Sequence, residues 1–336
     1  MQEHVELARA DFPLVFKDIL DKEHFESRMF FSDPISRYTF FRGYHFNVTF
    51  LRLFLAPIFE VHEIRQAGPH ELVLKWSWTM NFWWLRFTPF KLVWDPRLTF
   101  TGVTILGYHP QTGKWNKQVD AWDSIQDNDF FSFEGAAFVV KQMFQVSKPP
   151  NRFTPEFCIM KKLKDWEIRS YKPFVAAQVA GRSEEAAEAL LRAYTGGANE
   201  RRQRLDLTTP LWRNSQGATL LALPGIQDVG SAPAPSDRAV TLQAVPERWY
   251  AAWVFTGHPS PADIVGRMES VRVRTRAEGT KPVEGAPWLF ARYNDRNWPW
   301  GPFRRNEALV QVDPATFDLW RGVDWDFVKR IVKRPV

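Results

Sequence analysis

Two stretches of this chain repeat one another. KPFVAAQVAGRSEEA, from Lys172, and ERWYAAWVFTGHPSPADI, from Glu247, share an alternating strand, an Ala pair, a Val, a Gly and then a helix start. Ala176 and Ala251 are 75 residues apart, and Ser183 and Ser260 are 77 apart. A repeat this long and present twice is a duplicated supersecondary unit rather than a solenoid. Each copy marks its helix clearly. Ser183 is placed to cap, Glu184 and Glu185 suit the positive end of the helix dipole, and Gly196 with Gly197 ends the turn. Its apolar face is Ala187, Leu190, Leu191 and Tyr194. In the second copy Ser260 caps, Pro261 opens the first turn and Gly279 stops the helix, with Ile264, Met268 and Val271 facing inward. Strands WEIRSYKPFVAAQVA, ATLLALP, VTLQAVPERWYAAWVFTG, WLFARYND and EALVQV surround them. Two strand-helix-strand-strand units predict a pseudo-twofold barrel with one helix on each side.

The first half reads differently. Residues Val5 to Leu20 carry Phe12, Val15, Phe16 and Ile19 at helical spacing, and a second helix is predicted from Gly43 through Leu55 with Phe46, Phe50 and Leu53 inside. After Pro57 the pattern alternates, as in ELVLKWSWTMNFWW and FTGVTILGYHP, with PQTG at 110–113 as a hairpin turn. Helices followed by strands imply an α+β domain with helices closing one face of a curved antiparallel sheet. Between the halves, VSKPPNRFTPEF holds three prolines in a polar run, and Pro149 and Pro150 end whatever precedes them. The predicted organisation is a first domain over 1–146, a linker over 147–156 and a second domain over 157–336. At 336 residues the chain exceeds the ~250–300 at which single cores stop growing.

Composition narrows the function classes. The net charge is +6, and it sits in the second half: 16 Lys and Arg meet 17 Asp and Glu in residues 1–150, against 28 and 21 thereafter. These cations are scattered among strand and helix positions rather than gathered on one element, so a nucleic-acid partner is not expected. Cys158 is alone, which excludes an internal disulfide and a thiol pair for zinc. The longest apolar run, FNVTFLRLFLAPIFEV, is broken by Arg52 and Pro57, so no transmembrane segment is expected. Seven scattered His show no ligand spacing, and GXSXG, Walker and GXGXXG patterns are missing. The outlier is the aromatic share of 15%, with 16 Trp and 28 Phe. Rings that abundant imply aromatic cores or apolar cavities.

Two resemblances follow from motifs. FFSDP at 30–34, FRGYHF at 41–46 and KWNKQVDAWD at 114–123 resemble the NTF2-like, SnoaL-like domain of plants and algae over about residues 5–135. That resemblance implies a cone with a pocket, in which some relatives use an Asp and a His; Asp33 and His45 are the pair to consider. In the second half, WEIRSYKPFVAAQV, AYTGGANERRQRLDLTTPLW, APAPSDRAVTLQAVPERWYAAWVFTG and FARYNDRNWPWGPFRRNEALVQV resemble the SOUL/heme-binding protein family over about residues 157–313. The resemblance implies a distorted β-barrel with an open groove for heme or another porphyrin between the first helix, Ser183 to Tyr194, and the loop Asn297 to Phe303. The pairing of the two domains implies a chloroplast setting, with any transit peptide lying outside this sequence.

A porphyrin is flat and apolar with two acidic propionates, so its site needs apolar walls and cations at the edge. The residues placed for this are Leu190, Leu191, Tyr194, Trp298, Trp300 and Phe303 as walls, and Arg192, Arg296 and Arg304 as cations. The sequence departs from the family pattern where Glu185, Glu188 and Ala193 stand on the helix and Trp300 in the loop. Neither groove segment holds a His, so axial ligation of iron is unsupported there; His258 is the nearest in the repeat. Arg305 and Glu307 read more naturally as an ion pair of the fold. The leading expectation is a tetrapyrrole-binding protein that buffers, transports or delivers heme, with a heme-using or heme-degrading protein as partner. The alternatives are an enzyme acting on a tetrapyrrole or a lipophilic metabolite, for example by metal removal, and a scaffold associated peripherally with lipid or a partner protein.

Overall fold

Pro13 decides where the first helix ends. A proline disfavours helical backbone in the residue before it, so the helix predicted to continue to Leu20 stops at Asp11 and is followed by a 3-10 turn over Phe12–Leu14. The computed structural model describes residues 2–16, 22–89, 94, 96–144 and 152–333. Ile19 and Leu20 lie outside the described residues, as does the first half of the linker, with Pro149 and Pro150. Two units are formed: Met1–Val146, Met160–Lys164 and Leu319–Val336 in the first, and Ser147–Ile159 with Asp165–Asp318 in the second.

The first unit runs α1 (Gln2–Asp11), β1 (Phe25–Ser32), β2 (Arg37–Tyr38), α2 (Phe41–Leu55), β3 (Ile58–Gln66), β4 (Glu71–Asn81), β5 (Arg97–Tyr108), β6 (Trp115–Trp122) and α3 (Phe133–Met143). Its six-stranded sheet has the order β2-β1-β6-β5-β4-β3, antiparallel except where β1 lies parallel to β6. The β5–β6 hairpin turns where PQTG predicts, with Gly113 at φ 69°. Strand alternation sends Leu72 and Leu74 to one face, where they meet Ala8, Phe12, Tyr44 and Val48 from the helices. The α+β organisation is therefore as expected. The inner face of α2 is not. Tyr44, Val48 and Leu55 are buried, whereas Phe46 is 69% exposed and Phe50 and Leu53 also face outward. FRGYHFNVTFLRLFL is apolar on two stripes, so periodicity alone cannot choose between them. The cone takes the stripe carrying Tyr44, whose hydroxyl donates to Gln118 Oε1 at 2.8 Å.

The second unit contains β7 (Phe157–Lys162, which ends in the first unit), β8 (Trp166–Tyr171), β9 (Phe174–Val179), α4 (Glu184–Thr195), β10 (Leu211–Asn214), β11 (Thr219–Ala222), β12 (Val240–Val245), β13 (Arg248–Thr256), α5 (Pro261–Ala277), β14 (Leu289–Arg292) and β15 (Arg305–Val312). The sheet order is β12-β9-β11-β10-β14-β15-β13-β8-β7. This order is symmetric. β9-α4-β10-β11 and β13-α5-β14-β15 are the two copies of the repeat, joined at the β10–β14 pair, and each copy is flanked by a strand preceding the other: β12 beside β9, β8 beside β13. Both predicted caps form. Ser183 accepts from the Ala186 amide, and Ser260 with Asp263 makes a full capping box. One expectation is corrected: the sheet curls but does not close into a barrel, since its edge strands β12 and β7 are not paired with each other. β12 stops at Val245, and Pro246 after it has no amide hydrogen with which to extend a ladder.

The chain then returns. Residues from Leu319 onward, grouped with the second domain by sequence order, belong to the first unit. Trp320 and Phe327, Val328 and Ile331 of α6 (Trp325–Val332) cover Val73, Val103, Ile105 and Val119 on the sheet face opposite Leu72 and Leu74. A sheet apolar on both faces requires a second cover, and this segment supplies it.

Candidate functional site

In the second unit, α4 and the loop after β14 are laced together by charge. Arg192 Nη2 lies 2.7 Å from Glu188 Oε1 and 2.9 Å from Asp295 Oδ2, and Arg296 Nη1 lies 2.6 Å from Glu185 Oε1. Buried Arg292 pairs with both Glu184 and Glu188. The Asn297 amide, and then Arg192, hold the Asp295 carboxyl below its usual range. The glutamates that depart from the family pattern thus have a purpose: Glu185 pairs with Arg296 of the loop, and Glu188 with Arg192 of α4 and Arg292 of β14. Of the wall residues predicted on α4, Leu191 borders the small crevice beside the loop, and Leu190 and Tyr194 pack inward. Leu191 and Tyr194 are buried, Leu190 packs against the same core cluster, and the Tyr194 hydroxyl donates to the Pro233 carbonyl. What remains between α4 and the loop is a crevice of about 50 Å³.

The loop itself presents rings outward. Trp298 is 42% exposed, Trp300 64% and Phe303 38%. Its backbone is pinned, since the Gly257 amide donates to the Gly301 carbonyl at 3.0 Å and buried Arg304 donates through Nη1 to the Arg296 carbonyl at 2.9 Å. The same Nη1 lies 2.6 Å from His258 Nδ1. A guanidinium has only donors, so Nδ1 is the acceptor and the proton of the neutral ring sits on Nε2. That tautomer keeps no lone pair on Nε2 for a metal, and the arrangement does not suit His258 as an axial ligand. Of the predicted set, the structure brings Arg296, Trp298, Trp300, Phe303 and Arg304 together on one loop, with Arg192 tied to its start. Leu190, Leu191 and Tyr194 belong to the core.

A larger space lies elsewhere in this unit, on the concave face of the curled sheet. It is a cavity of about 430 Å³ walled by Tyr171, Phe174, Trp212, Tyr250, Leu220 and Leu309. Phe174 and Trp212 pack with ring centroids 5.3 Å apart, and Tyr171 meets Tyr250 edge to face at 5.7 Å. Strand alternation aims these side chains to one face: Trp212 and Asn214 on β10, Arg248 and Tyr250 on β13. The rings stood at alternating positions in the sequence, but only the strand order shows that they converge. Beneath them, Arg169 and Glu307 form a buried bidentate pair at 2.6 and 3.1 Å, joined by Arg305, Tyr171 and Tyr293. The expected structural role of Arg305 and Glu307 is realised there.

The first unit has a cone. Among the described residues, about 40 Å³ lies between Phe12, Phe16, Tyr44, Trp76, Trp78 and Asp120, room for at most a few waters. Asp33 reaches this space but serves its own turn, accepting from the Ile35 and Ser36 amides. His45 does not join it; its ring lies against Phe41. The carboxyl that does face Asp33 is Asp120, pushed by burial up to about 7 despite a hydrogen bond from Thr104. Asp120 lay within the motif KWNKQVDAWD, and its alternation with Gln118 was the signal that both point inward. Among the described residues no group of three or more His, Cys, Asp and Glu is arranged to hold a metal ion. No helix among them is long and apolar enough to cross a membrane.

Residues 152–311 match the family model described as SOUL heme-binding protein, and residues 2–113 match that of an uncharacterized conserved protein, DUF2358. No curated protein matches the chain. Solved structures similar to it include a SnoaL-like protein from Shewanella denitrificans, 18% identical, with 36% of this chain and 91% of that chain covered and a TM-score of 0.31. A hydrolase from Listeria innocua is 14% identical, with 44% and 92% covered and a TM-score of 0.34. An NTF2-like protein of unknown function from Exiguobacterium is 10% identical, with 34% and 95% covered and a TM-score of 0.27.

Proposed function

We propose that the SOUL heme-binding domain carried by residues 152–311 makes this protein a reversible binder of heme or a related porphyrin, which it buffers or hands on in the plastid. The observation that carries this reading is the pinned loop with Trp298, Trp300 and Phe303 turned to solvent. Exposed rings held in one place offer a flat macrocycle a stacking surface at little entropic cost. Arg296 and Arg192 stand beside it in ion pairs whose members are half exposed. Such pairs contribute only about 0–1 kcal/mol, so a propionate can replace Glu185 or Asp295 without a large penalty. The residues fit a stacked porphyrin with edge charge, and they do not fit axial ligation through His258. The macrocycle's own chemistry, redox or photochemical, is what the bound group would supply.

Parallel titrations with hemin and metal-free protoporphyrin test this. Stacking without an axial ligand predicts saturable binding of both with affinities within about tenfold, a difference of ~1.4 kcal/mol. Binding of hemin alone, or of neither, would refute it.

A second reading, peripheral association with a lipid surface, is favoured by the outward stripe of α2. Phe46, Phe50 and Leu53 are exposed there, and Arg86 stacks over Trp83 and Phe87, which are exposed too. Rings with adjacent cations suit a membrane interface. Co-flotation with anionic vesicles that Phe46→Ser with Phe50→Ser abolishes is the expected result; flotation unaffected by the changes counts against it.

A further inference from the structure

We propose that the 430 Å³ cavity of the second unit is a binding site for a flat aromatic carboxylate, distinct from the ring surface of the loop. Its size lies within the ~300–1,000 Å³ of small-molecule sites, and four aromatic side chains line it. Packing alone does not explain its polar groups. The indole N–H of Trp212 is buried without a hydrogen-bond partner, although the side chain is only 3% exposed. A buried donor left unmatched is costly; its ring lines the cavity, and a small rotation of that ring would present the N–H to an acceptor on a ligand. The cavity has one formal charge, the guanidinium of Arg248 beside the Tyr250 hydroxyl; Asp, Glu and Lys are missing from its lining. An N–H donor and a single cation among rings select an acceptor carrying negative charge. They disfavour a lipophilic cation, which would find no carboxylate. Gln178 and Gln243 add amides to the lining, suited to a second polar substituent on the ligand.

The test is calorimetric titration of the full chain with 2-naphthoate and with the cationic analogue 2-naphthylmethylammonium. Saturable binding of the carboxylate, at least about tenfold tighter than of the cation, is expected. Trp212→Phe keeps an aromatic ring and removes the N–H, and should weaken naphthoate about tenfold or more; Arg248→Met, which leaves the buried wall intact, should do the same. Should Trp212→Phe lower the melting temperature, Arg248→Met carries the test alone. Equal binding of cation and carboxylate, no saturable binding, or naphthoate affinity unchanged in the folded variants would overturn the assignment. Adding hemin separates this site from the tetrapyrrole reading. Simultaneous binding supports two sites, whereas competitive displacement of naphthoate means that the macrocycle occupies the cavity and the second site does not exist.

Discussion

Replacing Arg169 by Met is expected to destabilise the second unit by about 3–5 kcal/mol, because it leaves buried carboxylates without their main partner. Arg169 is fully buried and donates to Glu307 through Nη1 and Nη2, to Glu167 through Nε at 2.6 Å and to Tyr171 at 2.9 Å. Burial by itself would raise the Glu307 carboxyl; Arg169 and Arg305 outweigh it and bring the group down to about 2. A carboxyl depressed in the folded state contributes stability that is fully present above its ordinary value of 4.5 and is lost as pH falls toward 2. Wild-type protein should therefore lose stability between about pH 4.5 and 2, and the variant should be weaker at neutral pH with a shallower acid dependence. Equilibrium urea unfolding over that pH range reads both effects. A change below about 1 kcal/mol at neutral pH would mean that Arg305 and Tyr293 suffice to hold Glu307.

Lys75→Met should have an effect of similar size, about 3–5 kcal/mol, on the first unit. Lys75 Nζ lies 2.6 and 2.7 Å from the two oxygens of Asp123, and both side chains are almost wholly buried. Thr101 also donates to Asp123 at 2.6 Å, but a hydroxyl cannot offset a full charge. Buried pairs often contribute little net stability compared with apolar residues of the same volume, although breaking one is severe. Adding Asp123→Leu to Lys75→Met should consequently recover most of the loss, and a double variant as unstable as the single would show that the pair itself holds the unit together. Urea unfolding of the three proteins makes the comparison.

The duplication was legible because everything it needs is local: alternation, a Ser cap, a glycine stop. The symmetric strand order of the second unit follows from it, although the open edge does not, since closure depends on whether two distant strands meet. The inner face of α2 was not legible, because Phe46 and Phe50 are as apolar as Val48 and only the cone's interior chooses between them. The docking of Trp320 and α6 on the first sheet crosses more than two hundred residues of sequence and leaves no periodic trace. At the site, Trp298 and Trp300 stood out because rings beside a proline in a turn are hard to bury, and they are exposed. Leu191 and Tyr194 looked like groove walls for the reason that they are core: an apolar stripe does not say what lies against it. Glu185 and Glu188 had been visible as departures, and their roles needed the positions of Arg296 and Arg192. Trp212 gave no signal at all; an unpaired indole N–H exists only once the strands around it are in place.

We propose that a tetrapyrrole is held by the rings of the Asn297–Phe303 loop. The most direct test is a hemin titration, followed in the Soret band and by tryptophan quenching, of the wild-type protein beside a variant with Trp298→Ala and Trp300→Ala. Because both side chains are solvent-facing, the variant should keep its melting temperature within about 2–4 °C. Saturable binding by the wild type is expected, with at least about tenfold weaker binding by the variant, from the loss of ~1.4 kcal/mol or more of stacking. Equal affinity in the two proteins, or no saturable binding in either, would contradict it.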